Sequence, residues 1–190
     1  MFRGESKKNI AADISAVASV VILGLILGLL ATGATVNLHL GGTTTKLDSS
    51  VDFTILPDYH GNMQDAFVAP NSPTDNTVYV PVNTVINFTI DNLDTAQNEN
   101  FTGSPGIPFT VYSDNGTYTA PVTYQANQNV SLVVSHTFTT QFFNIPIVPD
   151  SITAFLFTFS QTGTYAFHCT VPCGPGMNLP MFMNGKIVVK

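Results

Sequence analysis

Residues 163–190 read Gly163-Thr-Tyr-Ala-Phe-His-Cys169-Thr-Val-Pro-Cys173-Gly-Pro-Gly-Met177-Asn-Leu-Pro-Met181-Phe-Met183-Asn-Gly-Lys-Ile-Val-Val-Lys190. Tyr165, Phe167 and Cys169 alternate with small or polar neighbours, the two-residue period of a strand that buries one face. Residues 187–189 form a second apolar run that closes the stretch as another strand. The loop between them gathers Cys173, Met177, Met181 and Met183. Soft sulfur donors collected in one loop between two strands are what a copper electron-transfer centre requires. Upstream, Ser135-His136-Thr137-Phe138 ends a further strand and can add an imidazole from across a sandwich.

Outward from that stretch the texture is the same. Short runs rich in Val, Ile, Thr, Phe and Tyr are broken by Pro, Gly, Asn and Asp, and no helical periodicity lasts three turns. Strands are expected at 77–82, 85–90, 109–112, 130–137, 152–160, 164–169 and 185–189, with surface loops at 57–76 and 91–107. The roughly 150 residues involved are enough for one domain with one core, and the pattern is that of an all-β sandwich. No internal repeat is visible.

The whole chain has 190 residues, 44% hydrophobic and only 9% charged. Soluble domains carry roughly 25% charged residues, so this composition excludes disorder and argues against an ordinary cytosolic enzyme. A net charge of −6 excludes nucleic-acid binding of the kind built on clustered Lys and Arg. From residue 40 onward there are ten acids and three bases, whereas Arg3, Lys7 and Lys8 lie at the start. So light a charge fits a domain that stays soluble and folded in an acidic exterior. Two cysteines are too few for a disulfide-dense scaffold or a Cys-rich zinc ribbon. No catalytic constellation is present: no G-x-S-x-G, H-E-x-x-H or P-loop, and no suggestive pair of carboxylates.

Residues 14–36 contain no charge and are rich in Leu, Ile, Val, Ala and Gly. That is long enough to cross a bilayer as one helix, and longer than the apolar core of a cleaved signal peptide. Arg3, Lys7 and Lys8 place its N-terminal side in the cytoplasm. The expected organisation is a cytoplasmic N-terminus at 1–13, a transmembrane helix at 14–36 and an exterior domain at 37–190, on the plasma membrane. Gly24 and Gly28 are spaced for close approach of a second helix. Sequons at Asn87, Asn100, Asn115 and Asn129 make the exterior part a candidate glycoprotein.

The motifs Ser135-His136-Thr137-Phe138 and Cys169-Thr-Val-Pro-Cys173-Gly-Pro-Gly-Met177 resemble those of the cupredoxin family. The second is similar to the dinuclear copper loop of subunit II of haem-copper terminal oxidases, whose pattern is Cys-x3-Cys-x3-His-x2-Met. The preceding membrane anchor matches subunit II as well, and Asn184-Gly-Lys-Ile-Val-Val-Lys190 resembles the last strand of rusticyanin. The resemblance is good over 130–190; residues 40–129 add little beyond β character. It implies a Greek-key β-sandwich, copper as cofactor, a larger haem-bearing oxidase subunit as partner, and electrons from a donor protein or a quinol. It also implies ligand roles for His136 as the first imidazole, Cys169 and Cys173 as bridging thiolates, and the Val171 carbonyl.

The chain departs from that pattern at two places. Met177 stands where the second His belongs, and Pro180 where the Met ligand belongs, with Met181 and Met183 nearby as replacements. A mononuclear blue site, as in sulfocyanin or rusticyanin, would want a second His near Gly174. His168 falls on the opposite strand face from Cys169, His60 reads as a turn residue, and His39 lies just past the apolar segment. Two readings need no metal: the cysteines can pair as a disulfide in an oxidising exterior, and the methionines can be core filler. A metal-free exterior β domain used in surface assembly is the corresponding alternative function.

Overall fold

The computed structural model describes residues 36–40, 43–59, 64–69, 75–97, 99–113 and 120–190. The expected helix at 14–36 lies outside them except for Val36, which begins a strand. Among the described residues no helix is long and apolar enough to cross a membrane. Residues 36–190 fall within one compact unit, Thr35–Lys190.

The described residues of that unit form fifteen strands. Two of them, β1 (Val36–Leu40) and β2 (Thr43–Leu47), form a separate antiparallel ribbon. The first main sheet has six strands: β3 (Ser50–Leu56), β4 (Ala66–Val68), β6 (Val85–Asn92), β8 (Phe109–Ser113), β9 (Val122–Tyr124) and β13 (Ser151–Thr158), in the order β4-β3-β6-β13-β8-β9. The second has five: β5 (Thr77–Val80), β11 (His136–Thr139), β12 (Asn144–Ile147), β14 (Gly163–His168) and β15 (Asn184–Val189), in the order β12-β11-β14-β15-β5. The strands β7 (Glu99–Gly103) and β10 (Val130–Val134) pair as another ribbon. Both main sheets are mixed, since β3 runs parallel to β6 and β5 parallel to β15.

Strictly alternating burial in β6 (Val85 out, Ile86 in, Asn87 out, Phe88 in) shows one face of that sheet turned to a core. Phe53, Phe88 and Phe155 of the six-stranded sheet meet Phe138 and Phe167 of the five-stranded one, with ring centroids 5.1–6.2 Å apart in the inter-sheet pairs. The two sheets therefore face each other across a phenylalanine core, a β-sandwich. From β12 to β13 to β14 the chain leaves one sheet, joins the other and returns.

All seven expected strands are present, with differences that have local causes. The run 130–137 splits at Ser135 into β10 and β11, which belong to different sheets. The stretch 91–107, expected as a loop, contains β7, whose single buried apolar residue Phe101 is too little signal to mark a strand. The short β12 carries Pro146, tolerated because β12 is the edge of its sheet.

Candidate metal centre

The centre forms where β11 and β14 run side by side, their register set by Thr139 opposite His168. The alternation read in the sequence holds: Phe167 and Cys169 are buried and His168 is exposed. His136 is fully buried, as are Thr137 and Phe138 after it. The ligand loop leaves β14 at Cys169 and rejoins the sheet at β15, and its two ends are clamped because the Cys169 N–H donates to the Met183 carbonyl at 2.9 Å.

Three of the expected donors converge. One ring nitrogen of His136 and the sulfurs of Cys169 and Cys173 all lie within 4.8 Å of one another. The fourth, the Val171 carbonyl oxygen, is 2.9 Å from the Cys173 sulfur and 3.4 Å from that of Cys169. The two cysteines are joined as a disulfide, with Cα atoms 7.0 Å apart. The Thr137 N–H donates to the Cys169 sulfur at 3.5 Å, and the Thr137 hydroxyl accepts from the Thr170 N–H at 2.8 Å. These contacts fix the first residue of the loop against β11.

The methionines divide. Met183 is fully buried in the apolar cluster that contains both cysteines, and Met177 packs against that cluster. Met181 is only half-buried, with a left-handed φ of 77°. His60 lies outside the described residues, and His39 sits in β1. Among the described residues no second histidine joins the sulfur group.

Two residues at the centre escaped the sequence reading. Nε2 of His136 lies 2.9 Å from Oδ2 of Asp94 and 3.9 Å from Oδ2 of Asp65. The hydrogen bond from His136 holds the Asp94 carboxyl below its ordinary range against the opposing effect of burial. Burial pushes Asp65 the other way, up, and the nearby His136 offsets only part of that. Asp94 falls in the stretch read as a surface loop, and nothing in its spacing distinguishes it from the other acids.

The opposite ring nitrogen, Nδ1 of His136, is buried and has no hydrogen-bond partner. A buried imidazole nitrogen left bare is costly unless something electrophilic meets it. Imidazole, two thiolates and a carbonyl oxygen make a donor set suited to copper. The residues therefore fit that metal once the disulfide takes up two electrons and opens to two thiolates.

No protein-family model matches the chain, and no curated protein matches it either. Among solved structures it is similar to the copper protein rusticyanin, with 19% identity over 88% of this chain and 94% of that one, at a TM-score of 0.37. It is also similar to the periplasmic domain of subunit II of cytochrome oxidase from Bradyrhizobium japonicum, with 18% identity over 77% and 86%, at a TM-score of 0.38. A chain of a haem-copper terminal oxidase dimer matches with 16% identity over 97% and 100%, at a TM-score of 0.36. The neighbours include both kinds of protein whose motifs the ligand loop and last strand resemble, and likeness at this level assigns neither ligand nor partner to this chain.

Proposed function

We propose that this chain is a membrane-anchored electron-transfer subunit whose exterior sandwich holds copper, in the manner of subunit II of a haem-copper terminal oxidase. The observation that carries the reading is a buried His136 with one ring nitrogen within 4.8 Å of both cysteine sulfurs and its Nδ1 without a hydrogen-bond partner, the Val171 carbonyl lying against the same sulfurs. Copper bound there would supply one-electron redox chemistry. His136, Cys169, Cys173 and the Val171 carbonyl would hold it, with Met177 or Met183 standing in for the missing second imidazole and thioether. The burial of all four keeps water from the site and limits rearrangement when charge changes. The catalytic haem chemistry would belong to a larger subunit, supplied from a donor protein or a quinol. Residues 14–36 would anchor the chain in the plasma membrane with Arg3, Lys7 and Lys8 inside, and glycans would be carried at Asn87, Asn100 and Asn129, all exposed, and at Asn115.

Opened to two thiolates, Cys169 and Cys173 would favour a dinuclear centre over a mononuclear blue one, which wants one thiolate and a second imidazole. The disulfide favours a different second reading, a metal-free exterior domain with a structural role. One titration separates them. The full chain, reduced by a phosphine and freed of it, is loaded with copper and examined by metal analysis and electron paramagnetic resonance. A mixed-valence two-copper signal that Cys173→Ser abolishes is the expected result. An intense blue single-copper band would move the assignment to a mononuclear carrier, and no binding with both thiols reduced would overturn copper altogether.

A further inference from the structure

The bare nitrogen of His136 has a counterpart on the other side of the ring, where every contact is made. A carboxylate can only accept hydrogen bonds, so at 2.9 Å from Asp94 Oδ2 the Nε2 position must carry the proton. We infer that Asp94 is a positioning residue that locks His136 in the Nε2–H tautomer and so leaves the buried Nδ1 with a free lone pair. This rests on the copper reading for its purpose, but the tautomer itself exists without metal.

The geometry selects Asp94 rather than its neighbour. Asp65 Oδ2 is 3.9 Å from the same nitrogen, too long for a hydrogen bond. Asp94 is also held from every side. Its second carboxylate oxygen accepts from the Ala96 N–H at 2.9 Å, its own N–H donates to Asn92 Oδ1 at 3.2 Å, and its carbonyl accepts from the Asp150 N–H at 3.0 Å. Asn92 in turn donates from Nδ2 to the Ser135 hydroxyl and to the Val148 carbonyl, at 3.0 and 2.8 Å. Ser135 immediately precedes the ligand, so the network ties the end of β6 in one sheet to the start of β11 in the other. An imidazole gripped at one nitrogen by so fixed a partner cannot flip its ring or exchange tautomers without breaking a buried, charge-assisted bond.

The test reads the tautomer directly. The full chain, labelled with nitrogen-15 in histidine and kept metal-free, is studied by proton–nitrogen correlation at a pH where imidazole is neutral, with His136→Gln identifying the signal. Wild type should show His136 as the Nε2–H form. Asp94→Ala should lower the preference for that form by about tenfold or more, and the isosteric Asp94→Asn, which keeps an acceptor oxygen and guards against misfolding, should restore most of it. An Nδ1–H signal in the wild type, or a tautomer unchanged in folded Asp94→Ala, overturns the inference. Copper loading of the same samples reports separately: a wild type that binds no copper yet shows the Nε2–H form removes the copper reading and leaves the tautomer lock standing.

Discussion

The ring of Phe138 stacks on that of Phe167 with centroids 4.6 Å apart and planes inclined by 25°. Each ring lies two residues along its strand from a candidate ligand, Phe138 from His136 on β11 and Phe167 from Cys169 at the end of β14. The stack therefore sets the spacing of the two strands just below the point where imidazole and sulfur meet. Removing it should cost stability and loosen the centre together. Phe138→Ala is expected to lower unfolding free energy by about 3–5 kcal/mol, read from urea denaturation. A loss under about 1 kcal/mol would mean that the core closes over the gap and the stack does not space the strands.

Gly185 lies opposite Phe167 in the β14–β15 pairing. The Cζ of Phe167 and the backbone oxygen of Asn76 occupy the space that a Cβ on residue 185 would need. A backbone oxygen cannot swing aside as a long side chain can, so one added methyl displaces the strand or the ring. Gly185→Ala should destabilise by about 1–3 kcal/mol in the same denaturation experiment. An unchanged midpoint would show that β15 shifts freely.

The strands and the sulfur loop were legible because their signals are local. Alternation along Tyr165, Phe167 and Cys169 states which side chains face inward, and the structure places them there, with His168 outside. The four-residue spacing of Cys169 and Cys173 likewise allows their sulfurs to meet, as they do, whereas the place of the Val171 carbonyl came only from the family resemblance. Asp94, Asp65 and Asn76 act across 42, 71 and 106 residues or more of chain, on His136 and on the Phe182 carbonyl. Such pairings follow from sheet order, which no local period encodes, so these polar partners looked like ordinary loop residues.

Asn76 is one of the residues hidden in that way, and it governs the ligand loop. It is buried in a left-handed conformation, φ 49°, which asparagine tolerates better than most side chains. Its Nδ2 donates to the carbonyls of Phe182 and Asn184 at 3.3 and 3.2 Å, and its Oδ1 accepts from the Ala69 N–H at 3.4 Å. Asn184 continues the chain of amides, donating to the carbonyls of Met177 and Leu179 at 3.2 and 2.6 Å. Asn76→Ala strands these groups and should cost about 1–3 kcal/mol. Because Cys169 is clamped to Met183 in the same loop, the variant should also speed reduction of the Cys169–Cys173 disulfide by a dithiol. Equal reduction rates in the two proteins would show that the amide ladder does not guard the cysteines.

The two carboxylates at His136 give the domain an acid response of definite sign. Asp94 is held below its ordinary value of 3.8, first by the hydrogen bond from His136 and then by that from the Ala96 N–H. Its contribution to stability is thus present above 3.8 and is lost as pH falls from there through its lower folded value. Asp65 is raised above 3.8, chiefly by burial. Its contribution runs the other way, present below 3.8 and lost as pH climbs through its folded value. Asp94→Asn should therefore flatten the fall in urea midpoint on the acid side of about pH 4, and Asp65→Asn should raise the midpoint at neutral pH relative to its effect in acid. The two groups thus oppose each other in the pH response of this site. A steep acid collapse that survives Asp94→Asn would place the sensitivity in other carboxylates and remove that argument.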